Sequence, residues 1–147
     1  MPQGRVTLVA LPGAARKEPP LPARSAAAPP FDVAIAAEDY CYLTTKGRVT
    51  GKPHTVEIWF GTSGRTIYVL AGSRQNADFV KNAMRAPDVP VRFGKRRRVY
   101  RSRARIVTKR AEDALARRLL LEKYSPRYDD LEDWGRDALP VAFDLEA

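Results

Sequence analysis

Apolar and polar residues alternate along several short stretches of the chain, and each alternation predicts a half-buried β-strand. After a strand over residues 41–46, Val56, Ile58 and Phe60 point to one face while Thr55, Glu57 and Trp59 point to the other. Residues 66–71 return as a strand after the turn TSGR at 62–65. Val89, Val91 and Phe93 alternate with Pro90, Arg92 and Gly94, the proline suiting an edge or a bulge. After the turn GKRRR, residues 99–108 set Arg101, Arg103 and Arg105 against Tyr100, Ser102, Ala104 and Ile106, so a basic stripe faces water or a ligand. A last strand over residues 140–145 puts Val141, Phe143 and Leu145 on one face.

Helical spacing fills the intervals. A short helix is expected over residues 31–39, with Asp32 as cap and Val33, Ala36 and Ala37 facing the body. A second is expected over 76–85, capped by Asn76, with Asp78 in its first turn and Phe79, Val80, Ala83 and Met84 packing. A third, capped by Thr108, runs over 109–124 with Leu115 and Leu119 on one side, until Ser125-Pro126 stops it. The acidic stretch after it reads as a helical turn and loop anchored by Leu131 and Trp134. About six strands with short connections and added helices predict a mainly β fold, an antiparallel split β-barrel over residues 31–147.

Residues 1–30 carry seven prolines and no sustained period, so they are expected as a disordered tail outside the fold. An apolar run at 6–15 faintly resembles a secretion signal but is broken by Pro12 and Gly13. No apolar run approaches the roughly 18 residues of a membrane span, and a single cysteine, Cys41, fits a reducing cytoplasm and a buried small hydrophobe. One histidine with one cysteine argues against a metal site.

Charge narrows the partner. The net +9 is concentrated in residues 31–110, which carry 17 Lys and Arg against 6 Asp and Glu, while residues 111–147 are acidic at −5. Such a field favours an anionic partner. The stretch TTKGRVTGKPHTVEIWF at 44–60 places Arg48, Lys52 and His54 with Thr50 and Thr55 around two glycines, Gly47 and Gly51. It reads either as an anion-holding loop feeding a strand or as a solvated hairpin turn. Ser73 and Arg74, just before a helix start, add a second place where an anion is favoured. Trp59 either stacks on a planar ligand or packs across the sheet.

These segments in this order, LTTKGRVTGKPHTVEIWF, IYVLAGSRQNADFVKNAMRAPDVPVRFG and RARIV, resemble the deazaflavin-dependent nitroreductase and quinone-reductase family of the flavin-binding split-barrel group that includes pyridoxamine phosphate oxidase. The resemblance implies coenzyme F-420. It implies that Arg48, Thr50, Lys52 and His54 hold its phosphate and acidic tail, and that the backbone of Thr55, Val56 and Glu57 lies along the deazaflavin ring. Ser73 and Arg74 match a second coenzyme loop, and Asn82 an asparagine of the inserted helix. His54 stands where relatives commonly have arginine, and Phe79-Val80 where they have a tryptophan with tyrosine or phenylalanine.

The implied reaction is hydride transfer from reduced deazaflavin to a nitro, quinone or activated-alkene acceptor, a small molecule. Catalytic residues are unassigned; Tyr40, Tyr42 and Tyr124 are candidate proton donors by chemistry alone. An FMN-binding split-barrel oxidoreductase is the first alternative. A nucleic-acid or anionic-surface module built on Lys95–Arg98 and the arginine stripe is the second, disfavoured because no aromatic platform interleaves with the basic run. A homodimer is expected only by analogy with the split-barrel group.

Overall fold

The computed structural model describes residues 6–8 and 33–146. Among the described residues eight strands form one sheet: β1 (Val6–Leu8), β2 (Cys41–Lys46), β3 (Pro53–Ile58), β4 (Gly61–Ser63), β5 (Thr66–Ala71), β6 (Asp88–Phe93), β7 (Val99–Ile106) and β8 (Leu139–Leu145). Four helices, α1 (Val33–Ala36), α2 (Asp78–Arg85), α3 (Arg110–Tyr124) and α4 (Glu132–Asp137), flank it. The strand order is β1-β3-β2-β6-β7-β8-β5-β4, antiparallel throughout except for β1 on β3.

That order forces the sheet to curl. Only Trp59 and Phe60 separate β3 from β4, yet six strand-to-strand steps lie between them through the sheet. In a flat sheet those steps span roughly 29 Å, whereas so short a link reaches about 10 Å. The two ends therefore curve towards each other into a half-barrel, the antiparallel split barrel that the alternation predicted.

Inside the curl, Leu43, Val56, Ile58, Phe60, Ile67, Val69, Val91, Phe93, Val141 and Phe143 form the main core, with Phe79, Val80 and Ala83 of α2 packed against it. A second core lies on the outer face of β5 and β8, where Tyr68, Leu70 and Ala142 meet Ala116, Leu120 and Tyr124 of α3. Those three α3 residues recur at i, i+4 and make the buried stripe; Leu115 and Leu119, expected to mark the packing side, flank it half-buried. Trp59 is in this second core, stacked on Tyr124 with ring centroids 4.2 Å apart and edge-on to Trp134 at 5.5 Å. It is a packing residue.

The end of α3 also stitches the open seam. The Tyr124 hydroxyl accepts from the Phe60 N–H at 3.1 Å and donates to the Asp39 carbonyl at 2.7 Å. Lys123 Nζ donates to the Phe60 carbonyl at 3.1 Å and lies 3.6 Å from that residue's ring centroid. Burial pushes the Lys123 amine down to about 7 and the Cys41 thiol up to about 12.

Several local expectations are corrected. Val6–Leu8 pairs in parallel with β3, so these three residues belong to the sheet and not to a tail apart from it; the outer edge of β3 offers the free backbone groups that a further strand can use. The rest of the expected tail, and Phe31 and Asp32 of the first helix, lie outside the described residues. In α1 the buried residues are Ile35 and Ala36, while Val33 is exposed. Residues 74–76 form a 3-10 turn, so α2 starts after Ala77 and α3 after Lys109, neither with a side-chain cap. Met84 is exposed, and Asn82 takes its place on the buried face of α2.

Candidate functional site

The link between β2 and β3 is a tight loop closed by its own backbone. The Gly47 N–H donates to the Lys52 carbonyl and the Gly51 N–H to the Gly47 carbonyl, both at 2.8 Å, and Gly51 sits at φ +74°. Glycine at 47 leaves room for two neighbouring side chains. A Cβ there would stand 2.8 Å from His54 Nε2 and 2.9 Å from Thr50 Oγ1, so both side chains fold over a bare backbone.

Helix α2 then locks the loop in place. Asn82, buried, accepts from the Arg48 main-chain N–H at 3.2 Å and from Arg48 Nη1 at 2.8 Å. Its own amide donates to Thr45 Oγ1 at 3.3 Å. Arg48 Nη2 reaches Asp78 Oδ1 at 3.2 Å. A cleft of about 260 Å³ opens between loop and helix, lined by Arg48, Thr50, His54 and Asp78 over an apolar floor of Val56 and Phe79. A forked guanidinium, a hydroxyl and an imidazole facing one hollow suit a phosphate or carboxylate.

Five of the sequence-expected residues thus meet at this cleft: Arg48, Thr50, His54, Val56 and Asn82. The others stand elsewhere. Lys52, at the end of the loop, is exposed and does not line the cleft. Thr55 and Glu57 lie on the opposite face of β3, where Thr55 pairs with the Thr44 hydroxyl at 2.9 Å and Glu57 accepts from the Tyr42 hydroxyl at 2.5 Å. Ser73 is exposed, and Arg74, at φ +54°, turns away to donate to the Asp137 carbonyl at the end of α4. The sequence reading missed Thr45, Val49, Asp78 and Phe79 as lining residues. The i, i+4 spacing of Asp78 and Asn82 on one helix face was the available signal for Asp78.

None of the three candidate tyrosines lines the cleft. Tyr124 is fully buried with its proton held well above the ordinary range by burial. Tyr42 is pushed up to about 12 by its hydrogen bond to Glu57. No group of metal-ligating side chains occurs among the described residues, and none of the helices described is long and apolar enough to cross a membrane.

The arginine stripe is largely neutralised. Arg101 pairs with Glu146, Arg103 with Asp88, and Arg105 with both Glu112 and Asp144. A larger hollow of about 580 Å³ beside Arg105 is lined by Tyr68 and Glu112, whose polar groups already satisfy one another. The Arg105 guanidinium and the Tyr68 hydroxyl hold the Glu112 carboxyl down at about 2.

Comparison with known proteins agrees with this architecture. The architecture matches a pyridoxamine 5′-phosphate oxidase-like protein from Listeria innocua at 18% identity, covering 78% of this chain and 90% of that one with a TM-score of 0.58. It also matches an F-420 reductase, at 15% identity over 82% and 97% of the two chains with a TM-score of 0.57. A third, an F420H2-dependent reductase, matches at 21% identity over 74% and 94% with a TM-score of 0.56. At such identities the likeness establishes the fold. A search of curated proteins found no match. The family model for F420H2-dependent quinone reductase matches residues 24–146. The chain belongs to that family and is an oxidoreductase whose cofactor is coenzyme F-420.

Proposed function

We propose that the cleft between the β2–β3 loop and α2 holds the anionic portion of coenzyme F-420, and that the enzyme reduces a quinone, nitro or activated-alkene acceptor. The observation that carries this reading is the convergence of Arg48, Thr50 and His54 on one hollow beside the apolar side chains of Val56 and Phe79. When bound, the reduced coenzyme supplies a hydride.

The chain's own residues bind and orient. Arg48 offers its fork to the phosphate or an acidic tail, and Asn82 fixes that fork by holding both the guanidinium and the loop backbone. Thr50 and His54 add donors from the same loop, while Lys52 adds charge at its rim. Val56 and Phe79 exclude water from the floor. Ser73 and Arg74 serve the coenzyme only through the edge of the loop after β5. The backbone of Thr55 and Glu57 takes part in β3 without turning its side chains to the cleft. Reduction of the acceptor by hydride leaves it one proton short, and solvent supplies that proton. A cytoplasmic enzyme fits the buried thiol.

Titration of the purified chain with F-420 and, separately, FMN tests the cofactor site. A screen of quinone, nitro and enone acceptors against the reduced coenzyme follows. Tight binding of F-420 with consumption of the reduced coenzyme on one acceptor class is expected. Preference for FMN, or no turnover with any class, overturns the reading.

A further inference from the structure

Asp78 supplies the only carboxylate among the residues lining the cleft, and it sits against the cation that an anionic ligand would use. The two α2 partners of Arg48 differ in kind. Asn82 is neutral and buried, and its Oδ1 holds both the main-chain N–H and Nη1. Asp78 is charged and its side chain 83% exposed, against 31% for Arg48. Asn82 can therefore keep the guanidinium in place while Nη2 changes partner. An exposed ion pair of this kind is weak, because water screens it and ordering two side chains costs entropy. Nη2 is accordingly the donor most readily released.

We propose that Asp78 is a resident counter-ion: it competes with the anionic portion of the coenzyme for Arg48 and so sets the affinity of the cleft and its response to salt. The proposal rests on the coenzyme reading above. Binding would exchange one anion for another at Arg48, with Asp78 swinging into solvent and its remaining charge opposing the newcomer. Removing the charge removes both the competitor and the repulsion. The site then gains one net positive charge, and ligand binding must release a solution anion in place of the aspartate.

The test is equilibrium titration with oxidised F-420, followed by fluorescence over a range of salt concentrations, so that no turnover is needed. Asp78→Asn should bind about 2- to 5-fold more tightly than the wild type, with a steeper dependence of affinity on salt. Asp78→Glu should stay close to wild type. Asp133→Asn provides the charge control: it removes a similarly exposed carboxylate, paired with the more exposed Arg136 on α4, outside the cleft lining. It should shift affinity less than about 2-fold, since screening over a Debye length weakens distant charges. If Asp78→Asn matches the wild type or only matches Asp133→Asn, the counter-ion role is overturned while wild-type binding keeps the coenzyme reading. A folded wild type that binds no F-420 at any salt concentration overturns both.

Discussion

The two long helices pack against the same curled sheet and leave opposite results behind. On the α3 side the polar groups find partners within the chain: Tyr124 and Lys123 close on the backbone of Phe60, and Arg105, Glu112, Tyr68 and Asp144 satisfy one another. On the α2 side Phe79, Val80 and Ala83 anchor the helix, while Arg48, Thr50 and His54 are left facing a hollow. Cation count does not locate the site. Strand β7 carries more arginine than the β2–β3 loop, but acidic residues of β6, β8 and α3, with Glu146 just after β8, neutralise its stripe. What separates the two regions is how firmly the partner is held: Arg105 is fixed between two carboxylates, Glu112 and Asp144, whereas Arg48 has the single carboxylate of Asp78, itself largely in solvent.

The sharpest way to break this contrast is to damage the structural side. Trp59→Ala should cost about 3–5 kcal/mol of stability, because it empties the stack on Tyr124; urea unfolding measures it, and a loss under about 1 kcal/mol would deny Trp59 its packing role. Tyr124→Phe comes next. It leaves the Phe60 N–H and the Asp39 carbonyl without their shared hydroxyl, at a cost of about 1–3 kcal/mol, read as a lower midpoint in the same assay.

A smaller effect should appear with pH. Because the Lys123 amine is pushed down to about 7 in the fold from an ordinary 10.5, the unfolded chain holds more protons than the folded one above pH 7. Stability should therefore rise between about pH 7 and 9, and the burial penalty should be fully present below 7. Lys123→Met should flatten that rise in thermal melts; an unchanged slope would show that the amine is not the source. Arg103→Ala is expected to do least, within about 0.5 kcal/mol, since its pair with Asp88 is exposed on both sides. A large loss there would mean that the stripe matters to the fold.

Alternation made most of the sheet legible, since β3 buries Val56 and Ile58 and β7 buries Ser102 and Ala104, each pair two residues apart on the face that was read as inward. It said less about β5 and β8, which are buried on both faces because α3 covers Tyr68, Leu70 and Ala142 from outside. Helix starts were the weakest reading: Asn76 and Thr108 are good capping residues, yet Ala77 and Lys109 occupy the cap positions and no side chain caps either helix. At the site, Arg48, Thr50 and His54 were legible because one loop carries them. Asp78 was legible only through its i, i+4 spacing to Asn82, since its meeting with Arg48 joins segments 30 positions apart. Arg74 was misplaced for a backbone reason: its left-handed conformation turns the side chain to α4. Local sequence carries the sign of a charge but not the partner that tertiary packing assigns to it.

The central claim is that Arg48 is held ready for an anion and is not a stabilising residue. Titrating F-420 into Arg48→Ala, with thermal melting in parallel, tests it most directly. Affinity should fall at least about 10-fold, equivalent to about 1.4 kcal/mol, with the melting temperature lowered by no more than a few degrees. Wild-type affinity in a folded Arg48→Ala protein would contradict the account and return the loop to a solvated turn.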